Sequence, residues 1–201
     1  MVKTISRPGD LGARMPAFTL PCAHGHTHTS TDLLGANGTL VMIICNHCPY
    51  VQHIADSLAE LTGDLAEIGI STIAINPNDP AQAPEDSPEG MRAATIRYRY
   101  QFPYLIDETQ DIARAFGAVC TPDIFLFDRG QRLYYRGQLD DSRPGNYLTV
   151  TGDSLKSAVA DMLSGKPAPT DQKPSLGCSI KWRTDAPNED GAQPLPSTTK
   201  L

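Results

Sequence analysis

The densest concentration of reactive groups is Cys45-Asn46-His47-Cys48-Pro49. It holds two thiols three positions apart, an imidazole immediately before the second and a proline immediately after it. A thiolate attacks sulfur and oxygen electrophiles and a thiol hardly does, so a working cysteine needs its pKa lowered from about 8.5 toward 7 or below. Pro49 suits the first turn of a helix, where its missing N–H would have had no partner. Cys48 then takes the N-cap, facing free amides and the positive end of the helix dipole. A drop of two units requires about 2.7 kcal/mol of preferential stabilisation of the anion, whereas a helix terminus supplies about 0.3–1 kcal/mol. Backbone amides must add to it, and His47 can contribute when protonated. The chemistry is thiol–disulfide exchange, with a soft metal held by the Cys45/Cys48 pair as the competing reading.

The surrounding pattern supplies what such a cysteine needs. Thr39 to Ile44 is a continuous apolar, β-branched run, which predicts a strand buried on both faces just before the motif. After it, Val51, Ile54, Leu58, Leu61, Leu65 and Ile68 recur at spacings of three and four, one face of a helix that Gly69 ends. Ile70 to Asn76 predicts the next strand, so strand, helix and strand form a right-handed parallel crossover and the class is α/β. Pro77 to Gly90, with four prolines after Asn76, is expected to be a long surface loop that shapes access. A helix over about Met91 to Gln101, a strand at Tyr104 to Ile106 and a helix at Asp111 to Phe116 follow. Asp123 to Asp128 and Arg132 to Arg136, around Arg129-Gly130-Gln131, predict an antiparallel hairpin and therefore a mixed sheet. A short strand around Ala17 to Leu20, a turn over Cys22 to Thr31 and a helix through Leu155, Val159, Met162 and Leu163 complete the elements. Residues 1–183 read as one domain, and Thr184 to Leu201 as a mobile tail too polar to build a core.

The whole composition narrows the function classes. The 201 residues suffice for one ordinary core, and 17 Lys and Arg against 23 Asp and Glu give a net charge of -6. No basic surface is available for a phosphate backbone, so neither nucleic acid nor an anionic membrane is expected as a partner. The longest apolar run, Leu40 to Cys45, is far short of the about 20 residues of a membrane span. A soluble, cytoplasmic protein is expected. Its five cysteines (22, 45, 48, 120 and 178) are an odd number, which favours free thiols, redox work or metal over a disulfide framework.

The motif resembles the thioredoxin-fold redoxin superfamily, AhpC/TSA-like, and in particular a peroxiredoxin-like group with an Asn-His-Cys-Pro signature after the central strand. The resemblance runs from about Gly9 to Arg183. It is carried by Asn46-His47-Cys48-Pro49, Cys120-Thr121-Pro122-Asp123, Tyr135-Arg136-Gly137, Asp140-Asp141-Ser142-Arg143-Pro144-Gly145-Asn146 and the segment Pro174 to Trp182. It implies a thioredoxin-like fold, a mixed central sheet flanked by helices, with an N-terminal hairpin and a C-terminal extension. It also implies that Thr121-Pro122 is a cis-proline loop that faces Cys48 and offers backbone groups to a bound thiol or peptide, with Asn46, His47 and Pro49 lining the same place. Peroxiredoxins of this superfamily carry a Thr, a Pro and an Arg around the nucleophile. The matching positions here hold Cys45, Val41 and Pro122, which argues against efficient peroxide reduction.

Compared with thioredoxins, Cys48 takes the place of the first cysteine and Val51 that of the second, so the usual resolving thiol is missing. Cys45, Cys120 and Cys178 are the candidates. Cys45 and Cys120 rank level, and Cys178 ranks third because the path of its segment is not readable from the sequence. Cys22 reads as a packing or surface thiol. The alternating His24, His26 and His28 read as polar turn residues, His53 as a solvated helix residue, and no metal site is assigned. Asp140, Asp141 and Arg143 read as a salt-bridged structural loop, and Ile180 and Trp182 as packing that holds Cys178 in place.

The expectation is a thiol–disulfide oxidoreductase with Cys48 as nucleophile and no cofactor beyond the redox pair. Its partners would be a disulfide- or sulfenic-containing protein or a small thiol, with a separate thiol reductant. The alternatives are a weak thiol peroxidase and a non-catalytic copper-, zinc- or protein-binding module.

Overall fold

The computed structural model describes residues 3–184. The elements in chain order are β1 (Lys3–Ile5), β2 (Thr19–Pro21), β3 (Thr27–Thr29), β4 (Gly38–Ile43), α1 (Pro49–Glu67), β5 (Ile70–Asn76), α2 (Pro88–Tyr98), β6 (Tyr104–Ile106), α3 (Asp111–Ala115), β7 (Cys120–Thr121), β8 (Asp123–Asp128), β9 (Leu133–Gly137), α4 (Asp153–Leu163) and β10 (Leu176–Ser179). The central sheet has the order β6-β5-β4-β8-β9. Its β4–β5 and β5–β6 pairs are parallel, and its β4–β8 and β8–β9 pairs antiparallel. This is the α/β mixed sheet read from the sequence. Beside it, β2 and β3 form the small hairpin, and β1, β10 and β7 form a three-stranded antiparallel sheet.

β4 is buried along its whole length because each face meets a different apolar layer. Leu40 and Met42 pack with α1 residues Val51, Ile54, Ala55, Leu58, Leu61 and Leu65. Val41 and Ile43, pointing the other way, pack with Phe116, Phe125 and Phe127. Each fully buried Leu or Ile contributes about 1.5–3 kcal/mol, so this double layer fixes the position of the strand end that carries Cys45. The helix ends where Gly69 turns to φ +78°, and the Asn37 side-chain amide donates to the Ile68 carbonyl at 2.8 Å.

One sequence expectation changes. The segment Pro77 to Gly90 is not a plain surface loop: Pro84–Asp86 forms a helical turn, and α2 starts at Pro88 with Ser87 as its cap. Asn78, Ala83 and Asp86 are buried. Prolines at the first helical positions build structure here instead of forbidding it. The C-terminal extension contains strand β10, and Ile180 is buried beyond it. The Trp182 ring lies under the Arg114 guanidinium, 4.3 Å from its carbon, and its carbonyl accepts from Gln82 Nε2 at 2.5 Å. Apart from Thr184, the expected tail lies outside the described residues. Among the described residues no helix is long and apolar enough to cross a membrane.

Candidate active site

Cys48 is the N-cap of α1, in extended conformation at φ -73° and ψ 120°, with Pro49 in the first turn. The Thr121–Pro122 peptide bond opposite is cis. Cys48 Sγ lies 3.1 Å from the Thr121 carbonyl oxygen, to which it donates only when protonated, and 2.9 Å from Cys178 Sγ. Cys45 Sγ lies 3.1 Å from Thr121 Oγ1. None of the five cysteines is in a disulfide, and the 2.9 Å sulfur separation compares with about 2.05 Å in a disulfide.

β10 makes this approach. It pairs antiparallel with β7, so that Cys178 stands opposite Thr121 and Ser179 opposite Cys120, while β1 holds its other edge with Lys3 opposite Cys178. Neighbouring residues of a strand face opposite ways. Thr121 and Cys178 therefore share the face toward Cys48, and Cys178 joins the apolar cluster that contains Cys45 and Cys48. Cys120 turns to the other face, its sulfur 3.8 Å from the Pro122 carbonyl. Of the three candidate resolving thiols, Cys178, ranked last from the sequence, thus lies in direct contact with Cys48. The reason is tertiary pairing of β10 between β1 and β7, for which no local pattern exists.

The four sulfurs differ sharply in acidity. The Cys48 pKa is lowered to about 5, first by hydrogen bonding with Cys45 and then, against the cost of burial, by Cys178, the Val51 backbone amide and Thr121. The amide favours the anion without reaching full cap geometry. Burial pushes Cys45 well up, and the neighbouring Cys48 adds to that. Cys178 is pushed up to about 12, first by burial and then by Cys48, and burial also raises Cys120. One sulfur is an anion and its contact partner carries the proton. Thiol exchange as read from the sequence needs a sulfur that a substrate can reach, and the structure does not present one: Cys48 is 0% exposed and Cys178 only 3% exposed.

Asp86 is the site residue that the sequence did not reveal. Its carboxylate accepts from the Asn46 amide at 2.6 Å, the His47 amide at 3.2 Å, His47 Nδ1 at 2.5 Å and Asn78 Nδ2 at 2.7 Å. Burial raises its pKa, but the bonds from His47, Asn78 and Asn46 outweigh that and hold it below the ordinary range. In return the hydrogen bond with Asp86 raises the His47 pKa above its ordinary value, favouring the protonated ring beside the motif. Nothing in the run Pro84-Glu85-Asp86 separates this acid from a solvated one. The Asn46 side chain donates to the Glu85 carbonyl and accepts from the Tyr104 hydroxyl, and Gln52 donates to the Asn46 carbonyl. The loop 45–48 is therefore fixed from three sides.

Donor atoms of Cys45, His47 and Asp86 lie within 4.8 Å of one another. Asp86, however, is taken up by four hydrogen bonds, one of them from His47 Nδ1, so the set works as a hydrogen-bond cluster. His24 and His26 are exposed and His28 half-buried in the β2–β3 hairpin. His53 is not freely solvated: its Nε2 is shielded without a partner, in a crevice lined by Tyr50, Pro122, Leu139, Arg143 and Leu176. Cys22 is half-buried and pairs with Leu105 through an isolated bridge. Asp140 accepts from Ser142, Thr151 and Gly152, while Arg143 donates to the carbonyls of Asp140 and Ser142, which makes that loop a structural one.

The sheet order, the cysteine at the mouth of α1 and the proline loop facing it define a thioredoxin-like fold. The chain belongs to the AhpC/TSA family, which matches residues 11–136. An uncharacterized conserved protein from Geobacillus kaustophilus is 46% identical, with a TM-score of 0.89, over 92% of this chain and 99% of that one. A hypothetical protein from Sinorhizobium meliloti is 46% identical, with a TM-score of 0.87, over 90% and 99% of the two chains. Peroxidoxin BcpB from Mycobacterium tuberculosis shares the fold at 18% identity and a TM-score of 0.57, over 77% of this chain and 96% of that one. None of the curated proteins compared with the chain matches it.

Proposed function

We propose that the protein is a thiol–disulfide oxidoreductase in which Cys48 is the nucleophile and Cys178 the resolving thiol. The observation that carries this reading is the contact of the Cys48 and Cys178 sulfurs at 2.9 Å, with the acidic one at the helix N-terminus. The Cys48 thiolate attacks one sulfur of a substrate disulfide, a mixed disulfide forms, and the other substrate sulfur leaves as a thiolate. The Cys178 sulfur then attacks Cys48, gives up its proton and releases the second substrate thiol. The product is a Cys48–Cys178 disulfide, and the substrate has gained two electrons from the pair, one proton from Cys178 and one from solvent. A thiol reductant returns the pair to the dithiol. Cys45 stabilises the attacking anion, Thr121 and Pro122 line the face across which the sulfurs meet, and Asn46, His47 and Pro49 hold Cys48 in register. Cys120 has no step in this scheme.

The test is a non-reducing peptide map after mild oxidation of the full chain, together with insulin reduction by dithiothreitol. The map is expected to show Cys48 bridged to Cys178, and insulin reduction to be lost in Cys48→Ser. Bridging of Cys48 to Cys45 or Cys120, or no bridge at all, overturns the assignment. A sulfenylated Cys48 that turns over peroxide, with no reduction of insulin, favours the peroxidase reading instead.

A further inference from the structure

The edge of β7 next to the proline loop is where an extended chain bearing a reactive cysteine would have to pair in order to bring its sulfur to Cys48, because Thr121 and Cys48 face the same side. In this protein that edge is filled. Leu176–Ser179 lies along it as β10, with its Cys178 against the Cys48 sulfur. The fit at the preceding residue is specific. A Cβ at Gly177 would fall 1.9 Å from the Thr121 carbonyl oxygen and 3.1 Å from Pro122 Cδ, so only glycine can precede the cysteine here. Backbone bonds anchor both flanks: the Ser6 amide donates to the Ser175 carbonyl at 2.9 Å and the Ile180 amide to the Val119 carbonyl at 3.2 Å. The Ser175 amide also donates to Ser6 Oγ at 2.9 Å.

We propose that β10 is a resident substrate strand: Cys48 is presented with Cys178 before any other sulfur, and a second chain reaches Cys48 only by displacing β10 from β7. This rests on the exchange chemistry proposed above and adds its regulation. While β10 is docked the nucleophile is covered, so the rate at which a bulky partner is engaged follows the opening of a short strand held by two neighbours. Local openings of this kind are rarer than the fluctuations that admit a small reagent.

The test labels the reduced full chain with iodoacetamide and, separately, with a polyethylene-glycol maleimide, and reads each cysteine by peptide mapping. Relative to half-buried Cys22, Cys48 is expected to discriminate against the bulky reagent by at least ~100-fold, and Gly177→Ala to reduce that discrimination by at least ~10-fold. Hydrogen exchange of the β10 amides in the unmodified chain gives a second measurement that needs no variant: bulky labelling of Cys48 must not outpace it. Labelling of Cys48 by the bulky reagent as readily as Cys22, or faster than β10 opens, overturns the proposal while leaving the exchange chemistry standing. Absence of a Cys48–Cys178 disulfide in the oxidised map overturns the exchange chemistry, and the resident-substrate role falls with it.

Discussion

Cys48 and Cys178 are separated by 130 positions in the chain and by 2.9 Å between their sulfurs, and their acidities are pushed in opposite directions, to about 5 and about 12. This asymmetry assigns order to the pair: the anion attacks the substrate disulfide, and the protonated thiol waits until Cys48 has become an electrophilic sulfur in a mixed disulfide. Cys178→Ser is therefore expected to halt the reaction at the mixed disulfide, with turnover falling at least ~100-fold. Trapping the adduct by mass spectrometry and measuring turnover check this. Undiminished turnover in that variant removes Cys178 from the mechanism.

Thiolate formation at Cys48 is expected to be centred near pH 5, so the thiol is almost wholly ionised at neutral pH. Because a hydrogen bond from Cys45 is the largest cause of that acidity, Cys45→Ala is expected to move the midpoint upward by roughly one unit or more. The pH dependence of iodoacetamide labelling at Cys48, or of thiolate ultraviolet absorbance, reads the midpoint directly. Burial lowers the absolute labelling rate without moving the inflection. A midpoint unchanged in Cys45→Ala sinks the assignment of Cys45 as the stabilising donor.

The chain pattern carried the scaffold further than it carried the site. The apolar run at 39–44 and the three-and-four spacing from Val51 to Leu65 correspond to β4 and α1, because both are set by short-range periodicity against one core. Pro49 placed Cys48 at the N-cap for a local steric reason. Cys178 and Asp86 escaped because their roles come from pairing and burial between segments distant in sequence. Nothing near Cys178 says that Leu176–Ser179 slots between β1 and β7, and Asp86 sits in a proline-rich acidic run that reads as solvated. The covering of Cys48 is a consequence of the first of these.

Asp86 and His47 offer a test of the site's scaffold that does not depend on catalysis. His47 is raised above its ordinary value, so its contribution is complete below the unfolded pKa of about 6.5 and is lost as pH rises through the folded one. Asp86 is depressed, so its contribution is present above the unfolded value of about 3.9 and is lost as pH falls through the folded one. Their joint effect is largest between about pH 4 and 6.5. Asp86→Asn keeps the shape but removes the charge that four donors share, and it is expected to cost about 2–3 kcal/mol in that window and less on either side of it. Urea unfolding of both proteins across pH 3–8 measures this; a difference independent of pH would show that the charge on Asp86 is not what holds the loop 45–48.

The buried pair Arg136–Asp123 supports the proline loop from beneath. Arg136 Nη2 donates to Asp123 at 2.8 Å and to the Gly117 carbonyl at 2.8 Å, and its guanidinium lies over the Phe125 ring. Even with this partner, burial holds Asp123 up at about 6, so the folded state binds a proton more readily than the unfolded chain and the ionised carboxylate is tolerated at a cost. Arg136→Met leaves that carboxylate without its counter-charge immediately after Pro122. The loss at neutral pH is expected to be about 3–5 kcal/mol. As pH falls from 7 toward 4 Asp123 takes up its proton and the charge that needed a partner disappears, so the deficit of the variant should shrink steadily along that range. Urea titrations at several pH values distinguish this from a packing defect, which would destabilise the variant equally at pH 7 and pH 4.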